Sequence, residues 1–210
     1  MKRLAINKTG GYLLAAAVFL AGWQLLAFLA HNPALPPPGL ALARFFRSWP
    51  QPLGGHFLAS LARVLAGLFL SLFLAVPLGL FLGRARRFDL LAAPLVYLSY
   101  PVPKVVFLPL LMVFLGIGEA SKVFLMILII FFQVLVTTRD AARGISQQSI
   151  YSMLSLGAGA WDVYRHVILP ACLPDILTAT RIGLGTAVAV LFFTETVAGT
   201  SGLGYFILDA

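Results

Sequence analysis

Charge is what this sequence most lacks. Only 10% of its 210 residues are Asp, Glu, Lys or Arg, whereas a soluble domain carries roughly 25%. So few charges cannot dress a water-facing exterior, so the exterior must face lipid. Cysteine is nearly absent as well. Cys172 stands alone, which excludes an intrachain disulfide, and the paired Cys and His of a structural zinc site are missing. No Gly-Lys pair occurs, so the chain has no phosphate cradle of the Gly-x-x-x-x-Gly-Lys-Ser/Thr kind. There is also no nucleophile elbow, no His-Glu-x-x-His helix and no paired carboxylates at helical spacing. His31, His56 and His166 fall in separate predicted loops. No catalytic residue, metal site or cofactor is therefore expected on this chain, and a membrane-embedded enzyme is disfavoured.

What the sequence has is apolar length. Hydrophobic residues make up 60% of it, and the mean hydropathy is +0.97. The runs are continuous rather than alternating, which favours spanning helices over a barrel. A first helix is expected over Gly11–Ala30. A secretory signal is the rival reading, but the run is long for one and Phe28-Leu29-Ala30-His31-Asn32 is a poor cleavage site. Residues 31–55 carry Pro33, Pro36, Pro37, Pro38, Pro50 and Pro52, so only a short helix near Leu40–Arg47 is expected there. Further runs cover Phe57–Gly83, Leu90–Leu115, Lys122–Thr138 and Cys172–Ala198. Pro101 and Pro103, two apart in the third run, predict a kink or unwound turn over Ser99–Lys104. The stretch Arg139–Leu169 is markedly more polar.

The net charge of +8 is spread in short clusters between the runs rather than gathered in one patch, so nucleic acid is not a partner. With the N-terminus in the cytoplasm, Lys2, Arg3, Lys8, Arg84, Arg86, Arg87, Arg139, Arg143 and Arg165 fall inside, and Arg44, Arg47 and Lys122 outside. That bias favours this orientation. The fold expected is an all-α polytopic transmembrane bundle of five to six spans forming one domain, 1–210. A sixth span is expected to follow Gly204-Tyr205-Phe206, which resembles the start of another element, and to be missing from this sequence.

The polar stretch 139–170 is the most informative part. Ile150, Tyr151, Leu154 and Ala158 recur at helical spacing, Gly157 and Gly159 interrupt them, and a second short helix is expected from Ala160 to Val167, ending at Leu169-Pro170. Two readings fit this pattern: a helix pair lying on the membrane, or a knob that inserts into a partner's groove. Among the charges in the runs, Arg63 lies about two turns into its helix and is expected to snorkel to the headgroups. Lys104 and Glu195 are placed either on a wet cavity or at a contact between copies.

These segments resemble a known family, the permeases of binding-protein-dependent ABC transporters. Gly157, followed by Val167, Leu169 and Pro170, resembles their coupling-loop signature. Leu35-Pro36-Pro37-Pro38, Ser60 to Gly67, Pro77-Leu78-Gly79-Leu80, Pro101-Val102-Pro103-Lys104, Gly116-Ile117-Gly118-Glu119 and Ser201-Gly202-Leu203-Gly204-Tyr205 resemble the nitrate/sulfonate/taurine branch. The likeness runs from about residue 20 to the end. It implies a permease subunit of an ATP-driven importer for a small solute, an organic anion or sulfonate-like compound being the expected class; the alternative is a secondary transporter or channel. The implied partners are ABC ATPase subunits carrying ATP and Mg, an external solute-binding protein, a second permease copy and the lipid bilayer of a bacterial inner membrane. The ATPase contact is carried over to Tyr151, Leu154, Gly157, Ala158, Trp161, Leu169 and Pro170, and the translocation path to Pro101, Pro103, Lys104 and Glu195. Tyr151-Ser152-Met153 stands where the family has Glu-Ala-Ala, so the family's glutamate contact does not transfer.

The charge bias makes one firm prediction. A cysteine introduced at Gln148 is expected to react with a membrane-impermeant thiol reagent in inverted vesicles and to stay unlabelled in intact cells. Labelling from outside would reverse the orientation.

Overall fold

The computed structural model describes residues 8–49 and 51–209; Lys2, Arg3, Pro50 and Ala210 lie outside them. Helix makes up 86% of the described residues, and no strand occurs among them. A chain so poor in polar side chains has to close its backbone hydrogen bonds internally, and helix does this within one segment. Among the described residues, four helices are long and apolar enough to cross a bilayer: Thr9–Ala30, Leu53–Arg84, Glu119–Gly144 and Ala160–Ala198. A fifth span results if Arg86–Ser99 and Lys104–Leu115, bent by 85°, count as one. This matches the expected all-α bundle.

The chain divides into two compact units, Met1–Gly55 and His56–Ala210. The first holds α1 (Lys8–Ala30) and α2 (Pro38–Ser48). Between them His31 takes a positive φ of 45°, and the Asn32 side chain accepts the Ala34 amide at 2.9 Å. The chain thereby turns back along α1, where Trp23 Nε1 donates to the Pro36 carbonyl at 3.1 Å. Pro38 opens α2, in the first turn, where the backbone N–H groups have no partner within the helix anyway.

The second unit is built around α6 (Glu119–Gly144), in which a larger share of residues is buried than in any other described helix. Met126, Ile130, Val134, Thr138 and Ala142 are all buried and recur every fourth residue. The long helix α3 (Leu53–Arg84) lies along α6 through a column of small residues, Gly67, Ser71, Ala75, Gly79 and Gly83. A Cβ on Gly79 would stand 2.8 Å from Thr138 Cβ, and one on Gly83 would stand 2.7 Å from Ala142 Cβ. In lipid, two helices gain little from hydrophobicity alone, and small residues let their backbones approach for van der Waals contact. On another side Cys172, Ile176, Ala179, Gly183, Ala187 and Leu191 of α9 (Leu169–Ala198) form a second buried stripe. Gly183 of that stripe faces Ile130 and Gln133 of α6.

The third apolar run breaks where its prolines demand. α4 (Arg86–Ser99) stops before Tyr100, a 3₁₀ turn takes Lys104–Phe107, and α5 (Leu108–Leu115) follows. Two expectations need correcting. α6 runs six residues beyond Thr138, so Arg139 and Arg143 are helical rather than part of a loop. The helix expected to end at Leu169-Pro170 does not end there. α8 (Ala160–Val163) passes through a π-turn at Tyr164–Ile168 directly into α9. Pro170 would lack the N–H for a regular turn and would clash with the carbonyl four residues back. The widened turn just before it, with Leu169 N–H reaching the Tyr164 carbonyl, gives the ring room and lets the helix continue.

The small-residue column is testable. Gly83→Leu should lower stability in detergent by about 1–3 kcal/mol, the usual cost of overpacking a close contact. Gly185→Ala, where an added Cβ meets nothing within 4 Å, should be nearly neutral in the same denaturation experiment.

Candidate functional site

At one end of the second unit the chain forms a protruding corner. Ser146 caps α7 (Gln147–Ser155), its Oγ accepting the Ser149 amide at 3.2 Å. The helix closes in a double turn: Gly157 N–H donates to the Leu154 carbonyl at 3.0 Å and Ala158 N–H to the Met153 carbonyl at 3.2 Å. This is a Schellman ending, which requires a left-handed residue at its centre, and Gly157 supplies it with φ +85°. Gly159 then starts α8, its amide bonded to Asp162 Oδ2 at 3.0 Å.

The corner has an inner and an outer side. Ile150, Val163, Ile168, Cys172 and Ile176 pack with Leu80 and Ala142, which seats it on the ends of α3 and α6. Tyr151, Leu154 and Trp161 face outward, Trp161 being 74% exposed. The predicted stripe therefore splits: Ile150 anchors, Tyr151 and Leu154 present, and Ala158 is half-buried. Leu156, 84% exposed at the tip, escaped the sequence reading because it lies off the stripe; its position one residue before Gly157 was the available signal. Leu169 and Pro170 are exposed as well, eight and nine residues past Trp161 and so about 12 Å along the helix from it.

The break between α4 and α5 brings Pro101, Pro103 and Lys104 together. Lys104 Nζ donates to the carbonyls of Tyr100 at 3.0 Å and Val102 at 2.9 Å, and also to that of Ser99. It lies 4.9 Å from the centre of the Phe132 ring. A cation at these carbonyls closes groups that the ended helix leaves open. Beside it is a cavity of about 390 Å³ lined by Tyr100, Lys104, Phe132, Gln133, Thr186 and Val190 among others, and Tyr100 Oη donates to Gln133 Oε1 at 3.2 Å.

Glu195 belongs to a different group, at the end of the unit opposite the corner. Arg63, only 3% exposed, does not snorkel. Its Nη1 donates to Glu195 Oε1 at 2.5 Å and to the Ser201 carbonyl at 3.0 Å, its Nη2 to Glu119 Oε1 at 2.5 Å and to Ser201 Oγ at 2.7 Å. Glu195, 1% exposed, also accepts from Ser60 Oγ at 2.8 Å and from the Gly204 amide at 2.9 Å. Leu203 N–H donates to Ser60 Oγ at 2.8 Å, and Gly202 N–H to His56 Nδ1 at 3.1 Å. The loop before α10 (Leu203–Asp209) is thus wrapped round one carboxylate. A side chain on Gly202, whose φ is +113°, would overlap that carboxylate. These partners lie 56 to 138 residues from Arg63 in sequence, beyond the reach of any local pattern. A second ionic group lies toward the corner end: Arg139 donates through Nη2 to Asp89 Oδ2 and through Nη1 to Tyr97 Oη, both at 2.8 Å.

Residues 75–210 match the profile of a family described as the binding-protein-dependent transport system inner membrane component. The taurine transport system permease protein TauC of Escherichia coli (strain K12) is 36% identical over 202 residues, covering 92% of this chain and 74% of that one. The riboflavin transport system permease protein RibX of Chloroflexus aurantiacus is 37% identical over 193 residues, covering 90% and 72%. The putative aliphatic sulfonates transport permease protein SsuC of Bacillus subtilis (strain 168) is 32% identical over 202 residues, covering 94% and 73%. Among solved structures, an inward-facing MetNI methionine ABC transporter aligns with TM-score 0.61 at 20% identity, over 75% of this chain and 79% of that chain, a likeness of fold.

The ionic group generates a prediction about stability. Glu195→Leu leaves Arg63 buried with one partner fewer and should cost about 3–5 kcal/mol, the usual effect of breaking a buried pair. Adding Arg63→Met should recover much of that loss, because Glu119, 63% exposed, stays solvated. A double variant as unstable as Glu195→Leu alone in detergent unfolding would show that packing, not charge, holds this site.

Proposed function

The chain belongs to the binding-protein-dependent transport inner-membrane components, as an ABC permease of the nitrate/sulfonate/taurine type, and from that premise we propose how it works. It is a multi-pass inner-membrane subunit that forms part of a solute path; a separate ATPase pair binds ATP and Mg and hydrolyses the nucleotide. The observation that carries this reading is the corner. Its apolar outer side, Tyr151, Leu154, Leu156 and Trp161, is exposed, while its inner side is seated on α3 and α6. A rigid, seated knob can pass a push into the helices behind it, as hinge and shear switches require. A secondary transporter or channel would have no use for such a knob.

In this proposal the N-terminus and the corner are cytoplasmic, which puts Arg84, Arg86, Arg87, Arg143 and Arg165 on the inner side, as the positive-inside rule favours. The Arg63 group then lies toward the outer face, where a solute-binding protein docks. A second copy of the chain completes the path, and Pro101, Pro103 and Lys104 shape it, because irregular backbone is tolerated in a membrane where it lines a cavity. Glu195 serves the path by holding the 199–204 loop in place rather than by touching solute. The solute is a small organic anion of sulfonate type; the taurine and aliphatic-sulfonate systems named among the relatives support that class.

Two substitutions test the coupling. Gly157→Val forces a β-branched residue into a left-handed turn, at a cost of about 1–2 kcal/mol or more. It should abolish ATP-dependent uptake of a sulfonate such as taurine while membrane insertion stays normal. Tyr151→Glu restores the family's acidic residue and should retain a family ATPase in pull-downs at least as well as the parent. Normal uptake by Gly157→Val would leave the corner as a helix pair lying on the membrane.

A further inference from the structure

The amphipathic helix α2 plays no part in the proposal above. Its aromatic residues and its charges lie on opposite sides. Leu42, Phe45, Phe46 and Trp49 recur at three- and four-residue spacings and share one side, while Arg44 and Arg47 fall opposite. All four apolar residues are exposed. Phe45 meets Phe46 edge-on at 5.4 Å and stacks on Trp49 at 6.3 Å, so the aromatic rings form one continuous surface.

The depth of this helix is set by a hydrogen bond. Pro36, two residues before α2, is bonded through its carbonyl to Trp23 Nε1. Trp23 lies seven residues before the end of α1 at Ala30, about 10 Å back along a spanning helix. That depth is near the boundary of headgroups and acyl chains, where the apolar sides of interfacial helices settle about 5–10 Å deep and where Trp is favoured.

We propose that α2 lies flat in the headgroup layer, with its aromatic side toward the acyl chains and Arg44 and Arg47 bonding the phosphates of anionic lipids. Charge supports lipid over protein as the occupant: α2 has two arginines and no acidic residue, and the flexible stems of arginine can run along the helix to reach phosphate on either flank. The tether at Trp23 makes α2 an anchor that fixes the outer end of α1 against the membrane plane.

The test uses the full chain, with Cys172→Ala, reconstituted in phosphatidylcholine/phosphatidylglycerol vesicles. A nitroxide is placed at Phe46→Cys in one sample and at Arg44→Cys in another. Relaxation by oxygen should dominate at position 46, and relaxation by an aqueous nickel chelate at position 44. Access of the nickel chelate to position 46, or exclusion of both reagents, would put that side in water or against protein and overturn the proposal. With spin-labelled lipids, the preference for phosphatidylglycerol over phosphatidylcholine should fall roughly threefold in Arg44→Gln/Arg47→Gln. An unchanged preference would overturn the role given to the arginines. Circular dichroism on each variant separates a lifted helix from an unfolded one.

Discussion

Backbone N–H and C=O groups find no water in a bilayer, and the rest of this structure follows from that. Helix satisfies them along most of the chain. Where the helix is interrupted, a side chain or a specialised turn does so instead. Lys104 bonds the carbonyls left open at the end of α4. Ser60, His56 and Glu195 receive the amides of Leu203, Gly202 and Gly204 in the loop before α10. Before Pro170 the chain widens one turn and keeps going.

The few charges obey the same economy. Those buried in the second unit sit toward the ends of the long helices, Arg63 with Glu195 and the exposed Glu119 at one end and Arg139 with Asp89 at the other. Such pairs contribute little net stability, because stripping water from two ions costs nearly what their attraction returns. Their value is specificity. Arg63 has donors for two carboxylates and the Ser201 loop together, so it admits one arrangement of α3, α6, α9 and that loop. The apolar middle, where many packings would be nearly equal in energy, is registered from its ends.

The uninterrupted helix from Ala160 to Ala198 joins the outward-facing corner to the neighbourhood of Glu195. At 1.5 Å per residue, its 39 residues extend about 58 Å. Trp161 and Glu195 therefore stand on one continuous helix, which widens once, at the π-turn Tyr164–Ile168. Had the helix stopped at Pro170, as its sequence suggests, the corner would be hinged to the bundle instead of built into it.

The sequence alone determined the membrane class, the number and rough limits of the apolar runs, the break at Pro101 and Pro103, and the glycine interruption at 157 and 159. Each of these depends on composition or on a covalent property of one residue: charge too sparse for water, rings without an N–H, a missing Cβ. Tertiary structure alone decided the rest. Arg63 looked free to snorkel because its partners are 56 and 132 residues away. Tyr151 and Ile150, adjacent in one apolar stripe, took opposite roles because only Ile150 meets the ends of α3 and α6. Pro170 failed to stop its helix because the turn before it could widen, and no local rule for proline records that freedom.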